Sequence, residues 1–205
     1  MGCIFLPHEQ RSPEWDAARA GRFSGSRFGE LMAKPREPGS GARVTLIKDL
    51  AWERFCGKKN PNYASKAMDR GTDLEAEAIR WYAFVTDTEP KSVGFGVWDK
   101  LEYVGVSLDA VVGSGQLEVK CPEHRAYMEI VRKRQIPSAY HWQIQGQLMV
   151  SEAEWSDFLA FHPDHGGIII RAYPNKDDFA SLEAACIEAN NEVVLWLNQL
   201  ERDAA

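Results

Sequence analysis

Charge stands where a buried strand should carry none. Around the turn signal Gly113-Ser114-Gly115, the segments Asp109-Ala110-Val111-Val112 and Gln116-Leu117-Glu118-Val119-Lys120 read as the two arms of a β-hairpin. Leu117, Val119 and the Val111-Val112 pair mark both arms as core strands. Side chains alternate along a strand, so Glu118 and Lys120 share one face, one pleat apart, and the turn brings Asp109 across from them. Charges in such a place are costly unless they are paired or bind a metal. Two neighbouring carboxylates repel each other, and a divalent cation relieves that repulsion. Hard oxygen ligands together with water suit Mg²⁺.

The flanking pattern predicts what surrounds the hairpin. Ser12-Pro13 opens a first helix that Gly21 ends. A short helix follows Ser24 or Ser26, and another runs from about Thr45 to Cys56. The segments 35–41 and 57–63 read as loops. Apolar residues recur at helical spacing from Asp73 to Phe84. The period then changes to two at Val93, Phe95 and Val97 and again from Tyr103 to Leu108, giving a small meander that ends in the hairpin. Two helices, about 123–134 and 139–150, flank Pro137. Strands follow near 155–161 and 168–173, and a terminal helix covers about 176–200. This order predicts an α/β (α+β) fold, a central mixed β-sheet flanked by helices, in a single domain over 1–205.

Composition narrows the function classes. No stretch approaches the length of a membrane-spanning helix, and the N-terminus lacks the basic and apolar regions of a secretion signal. A cytoplasmic protein is expected. Cys3, Cys56, Cys121 and Cys186 lie far apart and are expected as reduced thiols, without zinc-site spacing. Net charge is −6, yet Arg19 to Arg70 holds 12 Lys and Arg against 5 Asp and Glu. A basic segment on an acidic body suggests a localised anion-binding face, with a merely solvated charge run as the alternative. Arg22, Arg27, Lys34, Arg36 and Arg43 are candidates for a basic surface facing nucleic acid.

The hairpin chemistry fits phosphodiester hydrolysis, in which a metal polarises phosphate, activates water and stabilises the leaving oxygen. Lys120 is placed to hold the attacking water or neutralise developing charge. Glu75 on the preceding helix is a candidate third carboxylate. Gln143, in His141-Trp142-Gln143-Ile144-Gln145, is a candidate to position the water or Lys120. Spacing alone leaves bland readings open: a surface ion pair for Glu118 and Lys120, a solvated face for Glu75 and Glu77, polar core neighbours for Gln143 and Gln145.

Five segments occur in a telling order: Arg19-Ala20-Gly21-Arg22-Phe23-Ser24-Gly25-Ser26, Arg70-Gly71-Thr72-Asp73-Leu74-Glu75, Val106-Ser107-Leu108-Asp109, Leu117-Glu118-Val119-Lys120-Cys121-Pro122 and Ser138-Ala139-Tyr140-His141-Trp142-Gln143-Ile144-Gln145. Together, over about residues 12–165, the chain resembles the lambda exonuclease family of phage-type recombination exonucleases, within the restriction-endonuclease-like superfamily. It is also similar to prophage-encoded alkaline exonucleases. Leu108 stands where the common motif has Pro.

The resemblance implies a restriction-endonuclease-like core and a Mg²⁺-dependent exonuclease, with Mn²⁺ as a substitute. Asp109 and Glu118 would bind a pair of metal ions, with Glu75 and the Val119 carbonyl as further ligands. Lys120 would act on the water, and Gln143 would support the site. Arg19, Ser26 and Ser107 would form a pocket for a terminal 5′ phosphate, with Arg125 as the basic residue of the following loop. From the residues themselves, Arg19 can instead favour a helix C-terminus, Ser26 can be an N-cap and Ser107 an ordinary strand residue. The implied reaction digests one strand of duplex DNA from 5′ to 3′. The implied assembly is a homotrimeric ring acting beside a single-strand annealing protein. The competing readings are an endonuclease or helicase-associated nuclease of the same superfamily, and a non-catalytic DNA-binding module. Intact Asp109, Glu118 and Lys120 argue against the last.

Overall fold

Helix signals in the sequence are met by hydrogen bonds in the fold. A computed structural model describes residues 2–34, 41–59 and 66–204. Helix α1 (Pro13–Arg19) begins where the Ser12 hydroxyl accepts from the Trp15 amide at 3.1 Å, with Pro13 in the first turn. Helix α2 (Arg27–Leu31) follows Ser26, and α3 (Ala42–Cys56) ends at Gly57 in the left-handed conformation. Helix α4 (Lys66–Thr86) starts a turn or more before the expected Asp73 and runs through Gly71. Of the two expected loops, residues 35–40 and 60–65 lie outside the described residues.

The strands form two sheets. Strand β1 (Cys3–Phe5) pairs antiparallel with β2 (Gly96–Trp98), which pairs antiparallel with β3 (Gly105–Val106). The expected hairpin is present as β4 (Ala110–Val112) and β5 (Gly115–Lys120), with Asp109 just ahead of β4 rather than within it. Strands β6 (Ser156–His162) and β7 (Gly166–Ala172) complete a sheet of order β4-β5-β6-β7. Only β5 and β6 among its neighbours are parallel. A parallel pair needs a long crossover, and the chain supplies it with α5 (His124–Lys133), a 3₁₀ turn at Ser138–Tyr140 and α6 (His141–Ser151). Helix α7 (Lys176–Ala204) packs along α3. This is a mixed sheet flanked by helices, as expected, with the small antiparallel sheet of β1, β2 and β3 beside it. Paired backbone between Lys91 and Val111 ties the α4–β2 connection to β4.

Helix α6 carries amides into the interior. Every residue from Gln143 to Val150 is buried, three glutamines among them. At 100° per residue, Gln143 and Gln147 share a face and Gln145 lies on the opposite one. The helix lies directly on α2 because residue 146 is glycine: a Cβ there would stand 2.3 Å from the Phe28 ring. A buried amide needs partners. Gln145 finds them in the β7–α7 connection, donating to the Tyr173 carbonyl at 3.1 Å and accepting from the Asn175 amide at 3.0 Å. The other two face β5.

Arg22, Arg27 and Arg43 of the basic segment have partners within the fold, and Arg36 lies outside the described residues. Arg27 is buried and its guanidinium forks onto Glu53, at 2.5 and 2.9 Å. Arg43 pairs with Glu192 and Glu188 of α7 at 2.7 and 3.5 Å, and Arg22 donates to the Ala18 and Glu102 carbonyls. Arg27 is therefore committed to a buried ion pair within the fold. Among the described residues no helix is long and apolar enough to cross a membrane. Removing one partner of a buried ion pair strands the other charge. Glu53→Ala should cost about 3–5 kcal/mol, read as a lower urea midpoint at unchanged slope; a midpoint within experimental error of the parent would contradict this role.

Candidate active site

Strand β5 is the second strand of its sheet, and all its residues but Lys120 are buried. A carboxylate at its middle therefore needs a built environment, and Glu118, 2% exposed, has one. Gln143 Nε2 donates to its Oε1 at 2.5 Å and Gln147 Nε2 to its Oε2 at 2.6 Å. Lys120 Nζ also meets Oε1 at 2.5 Å. The ammonium of Lys120 lies 5.2 Å from the centre of the Tyr140 ring, which packs in turn on Phe158. The strand alternation that predicts one face for Glu118 and Lys120 is met, and the surface-pair alternative is not.

Asp109 closes the site from the other arm of the hairpin. Its Oδ2 accepts from the Val119 amide at 2.6 Å, which fixes it across from Glu118. Burial pushes the Asp109 carboxyl well above the usual carboxylate range, and the nearby charges of Glu118 and Glu75 push the same way. Lys120 and the Val119 amide oppose the shift without cancelling it. Burial by itself would favour a neutral Lys120, but Glu118 and Asp109 outweigh it and hold its pKa above the ordinary value. Glu75, on α4, is also raised, first by burial, with Arg11 opposing. Its carboxylate meets the Arg11 guanidinium at 2.6 Å. It is close enough to affect Asp109 and is occupied by a cation of the β1–α1 connection.

Crowded carboxylates of this kind are what a divalent cation neutralises. Among the described residues no three His, Cys, Asp or Glu side chains converge as a ready-made cage. Mg²⁺ does not require one: it is commonly held by one or two carboxylates and several waters. Asp109 and Glu118, with the Val119 carbonyl between Glu118 and Lys120 in sequence, can supply such a donor set.

A second feature is a small polar pocket lined by Arg19, Ser24, Ser26, Arg27 and Lys59. It brings together two of the residues expected to hold a terminal phosphate, Arg19 and Ser26. Arg19 lies in the last turn of α1 with its guanidinium 4.1 Å from the Trp15 ring centre. Ser26 stands at the N-cap position of α2 and makes no side-chain cap bond to it. Burial lowers the pKa of Lys59, and the charge of Arg19 adds to the effect. The other two expected phosphate residues are not in the lining. Ser107 sits between β3 and β4, where its backbone carbonyl accepts from Gln147 Nε2 at 3.3 Å. Arg125 is exposed on the first turn of α5.

The residues missed from sequence are Gln147, Arg11, Ser24 and Lys59. For Gln147 the signal existed, since residues four apart on a helix share a face with Gln143. The others depend on contacts between distant segments, which no local pattern announces.

Comparison with known proteins places this geometry. The model of the YqaJ-like viral recombinase domain matches residues 14–154, well over half of the chain. The protein belongs to the YqaJ-like viral recombinase family. All residues of the hairpin, α6 and the Arg19 pocket fall within the matched recombinase domain. A crystal structure of LHK-Exo in complex with dAMP is similar, with a TM-score of 0.85 and 26% sequence identity, covering 94% of this chain and 98% of that one. A second structure, of the alkaline exonuclease LHK-Exo from Laribacter hongkongensis, matches with the same values. A phage related exonuclease from Haemophilus somnus 129PT shares the fold at a TM-score of 0.62 and 12% identity, covering 88% of this chain and 95% of that one. No curated protein matches the sequence significantly. The chain thus unites membership of this family with the lambda-exonuclease-like fold of the alkaline exonuclease LHK-Exo.

The crowding at Asp109 has a measurable consequence for the metal-free protein. With its native carboxyl raised, Asp109 keeps a proton that the unfolded chain has already released, so native stability falls as pH rises from the ordinary carboxylate range through the raised value. Asp109→Asn removes the cost. In EDTA the variant should melt at a higher temperature than the parent at pH 8, with the gap closing toward pH 4. A variant less stable than the parent at pH 8 would show that the carboxylate is not strained.

Proposed function

We propose that this protein is a Mg²⁺-dependent 5′→3′ exonuclease that digests one strand of duplex DNA from a 5′-phosphorylated end. The observation that carries the reading is Glu118: a carboxylate buried in a core strand, held by Gln143 and Lys120 and set beside the strained Asp109. A protein that only bound DNA would have no use for that arrangement. Bound Mg²⁺, which Mn²⁺ can replace, would supply Lewis acidity toward the phosphate and toward water.

The chain's own groups do the rest. Asp109 and Glu118, with the Val119 carbonyl, would hold the metals, and Glu75 would serve as a further acidic ligand on release from Arg11. The Lys120 ammonium orients the attacking water and offsets negative charge that develops on the phosphate. Gln143 keeps Glu118 and, through the shared Oε1, Lys120 in register. Arg19 and Ser26 bind the terminal 5′ phosphate, with Ser107 and Arg125 contributing from neighbouring segments. Anchoring the end fixes which bond is presented and makes the cut exonucleolytic. LHK-Exo, crystallised with dAMP, is described as an alkaline exonuclease, which supports exonuclease action here. We extend the reading to phage-type recombination by single-strand annealing, with a homotrimeric ring on DNA and an annealing protein that takes the 3′ overhang. The family resemblance supports that extension. Sedimentation at micromolar concentration should give a trimer; monomer alone would contradict the ring.

The test of the activity is direct. Purified protein, Mg²⁺ and linear duplex DNA with 5′-phosphoryl or 5′-hydroxyl ends should release mononucleotides, faster from the phosphorylated end, and leave closed circles intact. Lys120→Ala should lower the rate about 100- to 1,000-fold. Cleavage of closed circles would make the protein an endonuclease, and no cleavage with either Mg²⁺ or Mn²⁺ would overturn the catalytic reading.

A further inference from the structure

Gln143 is one of two amides on Glu118. Gln147, fully buried, is the other, and it does more than mirror the first. Its Nε2 donates to Glu118 Oε2 at 2.6 Å and to the Ser107 carbonyl at 3.3 Å. One side-chain nitrogen thus spans from the centre of β5 to the segment that leads, two residues later, into Asp109. Its own Oε1 is buried and has no hydrogen-bond partner among the described residues. A buried acceptor left without a donor is a cost, and an apolar residue at 147 would avoid it. The amide cannot turn over to relieve it, because its oxygen would then face the Glu118 carboxylate. The position keeps an imperfectly satisfied glutamine whose nitrogen links both carboxylate-bearing segments.

We infer that Gln147 is a positioning residue for the metal site, setting the separation and orientation of Glu118 relative to Asp109. The inference rests on the proposed reading of these two carboxylates as metal ligands. Three points support it beyond general packing. Gln143 and Lys120 both act on Oε1, so Gln147 alone orients Oε2 among the described contacts. The opposite face of α6 is anchored separately by Gln145, and Gly146 seats the helix on Phe28. The helix therefore keeps its place when residue 147 changes, and the carboxylate does not.

The test is Mn²⁺ binding to the full chain without DNA, by titration calorimetry and electron paramagnetic resonance, in parent, Asp109→Asn, Gln147→Met and Gln147→Asn. Methionine keeps the side-chain volume without the donor, and asparagine keeps an amide too short to reach. Outer partners of metal ligands are typically worth about 10- to 100-fold in metal affinity. Each Gln147 variant should lose about that much, lower kcat at saturating DNA and leave KM for DNA within about twofold. If the methionine variant is insoluble, the asparagine variant carries the same comparison. Mn²⁺ affinity within about threefold of the parent in a folded Gln147 variant overturns the positioning role while leaving the site itself intact. Parent protein that binds no Mn²⁺ sensitive to Asp109→Asn would overturn the metal-site reading and this inference with it.

Discussion

The rest of this structure is arranged around one carboxylate that the sheet cannot hold unaided. Glu118 occupies the middle of a buried strand, where an unpaired charge is far costlier than any single packing contact can offset. Its compensation comes from α6 through Gln143 and Gln147 and from Lys120 one pleat along β5. That requirement explains several otherwise separate features. The crossover between the parallel strands β5 and β6 must end in a helix that lies against β5's charged position. The helix must approach α2 closely, which Gly146 permits, and its remaining glutamine must be satisfied elsewhere, which the β7–α7 connection does.

Satisfaction at Glu118 contrasts with strain at Asp109. The two carboxylates lie on opposite arms of one hairpin, and only one of them is provided with side-chain donors. Asp109 has the charge of Lys120 and the Val119 amide against burial and two like charges, and these do not cancel the shift. An active site that is unfavourable in its empty state and relieved by a cation follows a common exchange of stability for function. The same economy holds at the Arg19 pocket. Arg27 is neutralised by Glu53, whereas Lys59, 3.9 Å from the Asp16 carboxylate, is still kept short of its ordinary basicity by burial and by the neighbouring guanidinium of Arg19, a balance that favours an incoming anion.

Local chemistry was readable in the sequence where the determinants were local. Ser12-Pro13, Gly57 and the Gly113-Ser114-Gly115 turn mark their element ends because caps and turns depend on a few adjacent residues. The face shared by Glu118 and Lys120 follows from strand alternation, and the hairpin supplies Asp109. Strand β1 was not legible: three residues, mostly exposed, are a strand only because β2 lies beside them. Arg27 read as a surface cation because its partner, Glu53, is distant in sequence and meets it only once α2 packs on α3. Glu75 read as a free ligand for the same reason, with Arg11 arriving from another segment. Gln147 lay in plain view at helical spacing from Gln143, but its burial, and so its need for a partner, depends on how α6 is seated.

The central claim is that the hairpin carboxylates form a metal site. Anomalous diffraction from crystals grown with Mn²⁺ tests it most directly. An anomalous peak is expected within ligand distance of Asp109 and Glu118, with the Glu118 carboxylate still held by the α6 glutamines. Saturating Mn²⁺ with no peak there, or a peak only at other acidic residues, would contradict it.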